Sequence, residues 1–126
     1  MVPIENLREA RVIVGDLTSL ETSHVAYLGL FNAVDYLETI NGWLESQTRR
    51  DIPLIVCDNK SDDDTWSLAR EQISKTYPMV VFVQTPINLG GYGAFSLNFD
   101  LLKHAEWITT FHQDDHYGAN HLSAHA

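Results

Sequence analysis

Cysteine is almost missing from this chain: Cys57 is the single one in 126 residues, so no internal disulfide can form. It sits inside an apolar run and reads as a buried core thiol, which suits a reducing compartment and makes a cytoplasmic location the expectation. Apolar stretches approaching the ~20 residues of a membrane-crossing helix are also lacking. The N-terminus has no basic region followed by a hydrophobic one. This segment is therefore expected neither to cross a membrane nor to direct secretion, with membrane association left open for a longer protein. Positive charge is scarce as well. Eight Lys and Arg face seventeen Asp and Glu, a net charge of −9. A surface this acidic repels phosphate backbones, which excludes a general nucleic-acid binder. An anionic small ligand would need local help from backbone N–H groups, an arginine or a bound cation. For a diphosphate, that balance favours a metal. There is no low-complexity stretch, internal repeat or linker, and 44% hydrophobic residues exclude a wholly disordered chain. The length fits one domain.

What is present begins with apolar runs: His24–Phe31, Pro53–Cys57 and Met79–Gln84, with Trp107–Phe111 a fourth and less apolar one. Runs of this kind, bounded by polar or turn residues, predict strands buried on both faces. Arg11–Val14 is open between an extra short strand and part of a leader segment covering residues 1–23. Between the runs the period becomes helical. Val34, Leu37, Ile40 and Leu44 share one face, and Trp66, Ala69, Ile73 and Tyr77 another, with Pro78 ending that helix. Ala94, Leu97 and Leu101 form one stripe of a third helix, and Phe95, Phe99 and Leu102 a second, which predicts a helix covered over a wide arc. Strands alternating with helices predict an α/β fold: three layers, α/β/α, with a mainly parallel sheet, helices on both faces and right-handed crossovers. Ligands of such sheets bind beyond the carboxyl ends of the strands.

Four strand ends therefore carry the functional candidates. Asn32 follows the first, as a ligand contact or a helix cap. Asp58 closes the second, followed by Asp62, Asp63 and Asp64. Ser61 with Asp64 resembles a capping box, so those three read as helix-start residues, whereas Asp58 can accept from a base or a ribose. After the third strand, Asn88-Leu89-Gly90-Gly91-Tyr92-Gly93 divides between a ligand-approaching loop and a tight turn. It is neither a dinucleotide fingerprint nor a P-loop. The fourth strand ends in His112-Gln113-Asp114-Asp115-His116, where a carboxylate can hold Mg²⁺ or Mn²⁺ against phosphate oxygens.

The combination resembles the inverting, nucleotide-sugar-dependent glycosyltransferases of the family 2 type, which have the GT-A fold. The similarity runs from about His24 to about Asn120. VAYLGLFNAVDYLETINGWLESQT resembles that family's opening strand, asparagine turn and first helix, and VCDNKSDDDTW its second strand and acidic turn. NLGGYGAFSLNFDLL is similar to its asparagine-glycine segment, and AEWITTFHQDD to the strand carrying Asp-x-Asp. The resemblance implies a nucleotide-binding set of Leu30, Asn32, Asp58, Asn88, Gly91, Gly93 and Gln113. In it Asp58 meets the N3 imide of a uracil or thymine, and backbone around Gly29–Phe31 holds the ring. It implies Mn²⁺ or Mg²⁺ at Asp114, beside His112 and Asp115. His112 replaces the first aspartate of Asp-x-Asp, and Gly29-Leu30 replaces a Pro-Thr-like pair, leaving that part of base recognition to the backbone.

The function so implied is transfer of a sugar from a UDP-, dTDP- or GDP-sugar to an acceptor hydroxyl, with inversion. The acceptor would be a saccharide, a lipid or a protein; no nucleic-acid or membrane contact is expected. The chain ends at Ala126, eleven residues after Asp115, before the family's acceptor half. The resemblance accordingly implies a catalytic base beyond Ala126, and no residue of this chain takes that role. Residues 24–126 are thus expected to be a donor-binding domain cut short, with a non-catalytic nucleotide-sugar-binding module as the alternative. A zinc hydrolase built on His112, Asp114, His116, His121 and His125 is a third reading, although no His-Glu-x-x-His is present.

Overall fold

The computed structural model describes residues 2–125, and for His125 the backbone alone. Among the described residues the core is a sheet of five strands: β1 (Val12–Val14), β2 (His24–Leu30), β3 (Leu54–Asp58), β4 (Val80–Gln84) and β5 (Trp107–His112). Their order across the sheet is β1-β4-β3-β2-β5. β2 to β5 run parallel, and β1 pairs antiparallel with β4. Of the two readings open for Arg11–Val14, the extra short strand is the one present, at the sheet's edge.

Burial explains why the strands read so differently in sequence. β3 lies at the centre with every residue buried, so nothing interrupts its apolar run. β5 is an edge strand, buried only at Thr109 and Phe111, with Trp107 63% exposed. One covered face needs only every second residue apolar, which is why WITTF is the weakest run.

Helices lie on both faces. α2 (Leu37–Glu45) and α3 (Thr65–Thr76) pack Leu37, Ile40, Leu44, Ala69 and Ile73 against Leu28, Leu54 and Val56. On the other face, α4 (Gly90–Leu97) and the 3-10 turn Asn98–Leu102 bring Ala94 and Leu102 against Val25, Tyr27, Ile55 and Val83. Each fully buried Leu, Ile or Val side chain contributes on the order of 1.5–3 kcal/mol. β2, β3 and β4 step one way across the sheet with α2 and α3 on one face. β5 then returns to the far side of β2, with α4 on the opposite face, as right-handed crossovers require. No helix among the described residues is long and apolar enough to cross a membrane.

The third helix departs from expectation. Its two stripes predict a helix covered through Leu102, but the α-helix ends at Leu97 and Phe99 is 47% exposed. The cause is Asn98, fully buried, whose amide donates to Ala94 O at 3.0 Å and Cys57 Sγ at 3.2 Å and accepts from Arg11. A side chain bonding back to its own helix competes with the backbone ladder and tightens the turn. Two further elements lack any sequence signal. α1 (Ile4–Glu9) buries no residue, so it shows no apolar stripe. The segment after β5 folds back over α2: Leu122 is fully buried and its N–H donates to Gln47, while Gln47 Nε2 donates to Gly118 O and Tyr117 packs on Trp43. Ala126, the residue beyond which the catalytic base is expected, lies outside the described residues.

Candidate functional site

The strand order reverses between β2 and β5, the switch point beside which open α/β sheets bind ligands. A cleft of about 580 Å³ opens there at the carboxyl ends, walled by β2, β3, β5 and the first turns of α4. That volume suits a small-molecule ligand. Of the residues singled out from sequence, Leu30, Gly91, His112, Gln113 and Asp114 line it; Asn32, Asp58, Asn88, Gly93 and Asp115 do not. Tyr27, Phe31, Asn59, Tyr92 and Phe95 also line it, and neither Lys nor Arg does.

Asp58 lies behind the wall, 1% exposed. One carboxylate oxygen accepts from Gln84 Nε2 at 3.0 Å and from Ser61 N at 3.2 Å, while the Ser61 hydroxyl donates to the other. The expected Ser61–Asp64 capping box does not form. Asp63 caps the start of α3 instead, accepting from Thr65 N at 3.0 Å, and Asp64 makes no side-chain cap bond. Ser61 serves Asp58 because both stand at the carboxyl end of β3, a turn before the helix begins.

Asn32 is not a helix cap either. Its φ of 46° puts it in the left-handed region, where asparagine is among the better-tolerated side chains. Its N–H donates to Ser61 Oγ at 2.9 Å and its Oδ1 accepts from Asp62 N at 2.8 Å. The turns after β2 and β3 are thereby clasped together over Asp58.

Two amides organise the remaining strand ends. Gln113 accepts from Phe31 N at 2.8 Å and donates to Phe31 O at 3.0 Å, extending the β2–β5 pairing by side chain. Leu30 O accepts from Asn59 N at 2.9 Å. The main-chain groups of Leu30 and Phe31 nearest the cleft are therefore already engaged. Asn59, 6% exposed, donates to Asn88 Oδ1 at 2.9 Å and accepts from Leu89 N at 2.8 Å. Asn88 Oδ1 also accepts from Gly90 N at 2.9 Å. Sequence reading missed Asn59. Its only signal was an asparagine directly after a strand, which many turns share.

At the β5 end, Asp114 is exposed on the cleft wall. Asp115 turns back: its N–H donates to His112 O at 3.2 Å, and its carboxylate accepts from Tyr117 OH at 3.5 Å. The same hydroxyl accepts from His112 N at 2.8 Å. Burial pushes the Tyr117 phenol up. No three His, Cys, Asp or Glu side chains converge as a metal site among the described residues. His112, Asp114 and Asp115 therefore do not form a closed cage. Nor do His112, Asp114, His116 and His121 gather for zinc; the His125 side chain lies outside the described residues. A hard cation that keeps waters and takes phosphate oxygens needs only one or two carboxylates, and Asp114 fits that demand. Cys57 lines the cleft floor, but burial pushes its thiol up, so it stays protonated and is no nucleophile.

Comparison with known families matches residues 30–126 to the model for Glycosyl transferase family 2. The chain belongs to glycosyl transferase family 2. No curated protein matches it. Among solved structures, S. aureus TarS 1–349 is similar to this family 2 chain with a TM-score of 0.64 at 20% identity, over 82% of this chain and 31% of that one. TarS 1–349 in complex with UDP-GlcNAc matches with the same TM-score and identity, over 82% and 30%. This family 2 chain thus spans about a third of the TarS chains it matches. At that identity the likeness carries the fold, and the expected three-layer GT-A arrangement is the one present.

Proposed function

We propose that this chain is the donor-binding part of a glycosyltransferase, taking a UDP-sugar or a related nucleotide sugar for transfer to an acceptor hydroxyl with inversion. The observation that carries this is the cleft at the β2–β5 switch point, with an exposed aspartate on its wall and no Lys or Arg among its lining residues. Such a cleft offers a diphosphate no permanent positive charge, whereas Asp114 can hold a divalent ion that supplies it. When bound there, Mn²⁺ or Mg²⁺ supplies charge neutralisation to the departing diphosphate. The chain's own residues bind and orient. Asp58, pinned by Ser61 and Gln84 behind the cleft wall, is the acceptor assigned to a base N–H. Gln113 and Asn59 hold the strand ends that wall the cleft, and the apolar walls exclude water. No residue up to Ala126 is assigned to deprotonating the acceptor.

The test is a thermal-shift titration with UDP-GlcNAc and Mn²⁺. The expected result is a rise in melting temperature that needs both components and is lost in Asp114→Ala. A chain whose melting temperature ignores UDP-, dTDP- and GDP-sugars alike, with metal present, sinks the reading.

A further inference from the structure

Around the cleft the aromatic side chains Tyr27, Phe95 and Phe111 each have a ring partner at centroid distances of 4.7–4.9 Å. Tyr92 has none. It is 82% exposed, yet it lines the cleft, and no ring contact or hydrogen bond engages it among the described residues. It stands in the first turn of α4 between Gly91 and Gly93. A Cβ added at Gly91 would meet nothing within 4 Å, so the helix start beside Tyr92 is not packed against another element.

The tie between α4 and the strand ends decides which part of a ligand Tyr92 faces. Asn59, the residue directly after Asp58, holds the start of α4 through Asn88 Oδ1 and Leu89 N. Tyr92 is therefore one helical turn from the β3 end of the cleft. Asp114 stands at the β5 end, on the far side of β2. With the diphosphate at Asp114, the group nearest Tyr92 is the nucleoside.

We infer that Tyr92 is a stacking platform that closes over the nucleoside of the donor, and so a determinant of donor affinity beyond the metal and Asp58. A free aromatic face beside an apolar cleft suits a flat heterocycle, because every base offers a π-face. This rests on the donor reading above.

The experiment is calorimetric titration of UDP and of UDP-GlcNAc, each with Mn²⁺, into the unaltered chain, Tyr92→Ala and Tyr92→Phe. The side chain is exposed, so melting temperatures should stay together and serve as the folding control. Tyr92→Ala should weaken both ligands about tenfold and equally, and Tyr92→Phe should stay close to the unaltered chain because the ring is kept. Unchanged affinities in Tyr92→Ala overturn the platform. So does weakening of UDP-GlcNAc alone, which would put the ring on the sugar, or an equal loss in Tyr92→Phe, which would make the hydroxyl the contact. An unaltered chain that binds neither ligand overturns the donor reading and the platform with it. Binding that Asp114→Ala abolishes and Tyr92→Ala leaves intact overturns the platform alone.

Discussion

Asp58 accepts three hydrogen bonds, from Gln84 and from two groups of Ser61, while almost sealed from solvent. A carboxylate offers about four acceptor sites, so one remains for a ligand N–H. The same economy recurs at Asn59 and Gln113, whose side-chain amides are spent on neighbouring strand ends, whereas Asp114 and Tyr92 stand exposed on the cleft wall. Gly91 is the exception, because nothing in the fold needs it to be glycine. Its φ is not positive, and an added Cβ meets no atom within 4 Å. Glycine inside a helix costs stability relative to alanine. Gly91→Ala should therefore raise stability by about 0.4–1 kcal/mol while lowering affinity for UDP-GlcNAc, since the new methyl group enters the cleft. Denaturant melts and titrations on the same sample check the opposed signs. A variant that gains stability and binds as before would show that Gly91 leaves no room a ligand uses.

At the scale of elements, α1 and β1 are held to the turn after α4 by charge more than by apolar burial. Arg11, only 6% exposed at its side chain, meets Asp100 at 2.7 Å and Asn98 at 3.0 Å, and Arg8 donates to Leu97 O at 2.8 Å. Burial pushes the Asp100 carboxyl up, but the hydrogen bond and charge of Arg11 outweigh it and hold the group below its ordinary 3.8. A depressed folded value means the stabilisation is present above the unfolded pKa and is lost as pH falls through the folded one. Asp100→Asn should cost about 1 kcal/mol near neutral pH, less than a fully buried charged hydrogen bond because Asp100 is partly solvent-screened. The deficit against the unaltered chain should close below about pH 4. Melting curves from pH 7 to pH 3 measure it, and a deficit independent of pH would assign the loss to packing. This clamp also marks where sequence reading ran out. β2, β3, β4, α2 and α3 were legible because burial writes a period of two or 3.6, or an unbroken run, into the chain. α1 buries nothing and writes no period. Asn98, Asn59 and Gln113 act through partners tens of residues away in sequence, and an amide with a distant partner looks like any surface amide. The candidate site was legible as far as strand ends could be located. Which residues face the cleft was not, because that depends on how two turns clasp over Asp58.

For the whole molecule, seventeen acidic against eight basic side chains set a field that acts on any ligand before contact. An acidic protein repels a diphosphate and attracts a divalent cation, and salt screens both effects over a Debye length of about 10 Å at 0.1 M. The cleft has no Lys or Arg to reverse the field locally. With EDTA present, UDP should therefore bind weakly, and its affinity should improve modestly as NaCl rises and the repulsion is screened. With Mn²⁺ present, UDP should bind at least about tenfold more tightly, the order of one good charge-assisted contact of about 1.4 kcal/mol. Its affinity should then fall with salt, because attraction of the cation to the acidic surface is what salt now weakens. The reversal of slope is the informative quantity, since a site that binds UDP through shape and stacking alone gives the same slope with and without metal. Titrations at several NaCl concentrations, repeated on Asp114→Asn, assign the effect. If Asp114 holds the ion, the variant should follow the EDTA slope even when Mn²⁺ is added. Retention of the Mn²⁺ slope by that variant would move the ion to another carboxylate, and equal slopes in the unaltered chain would remove the metal from donor binding.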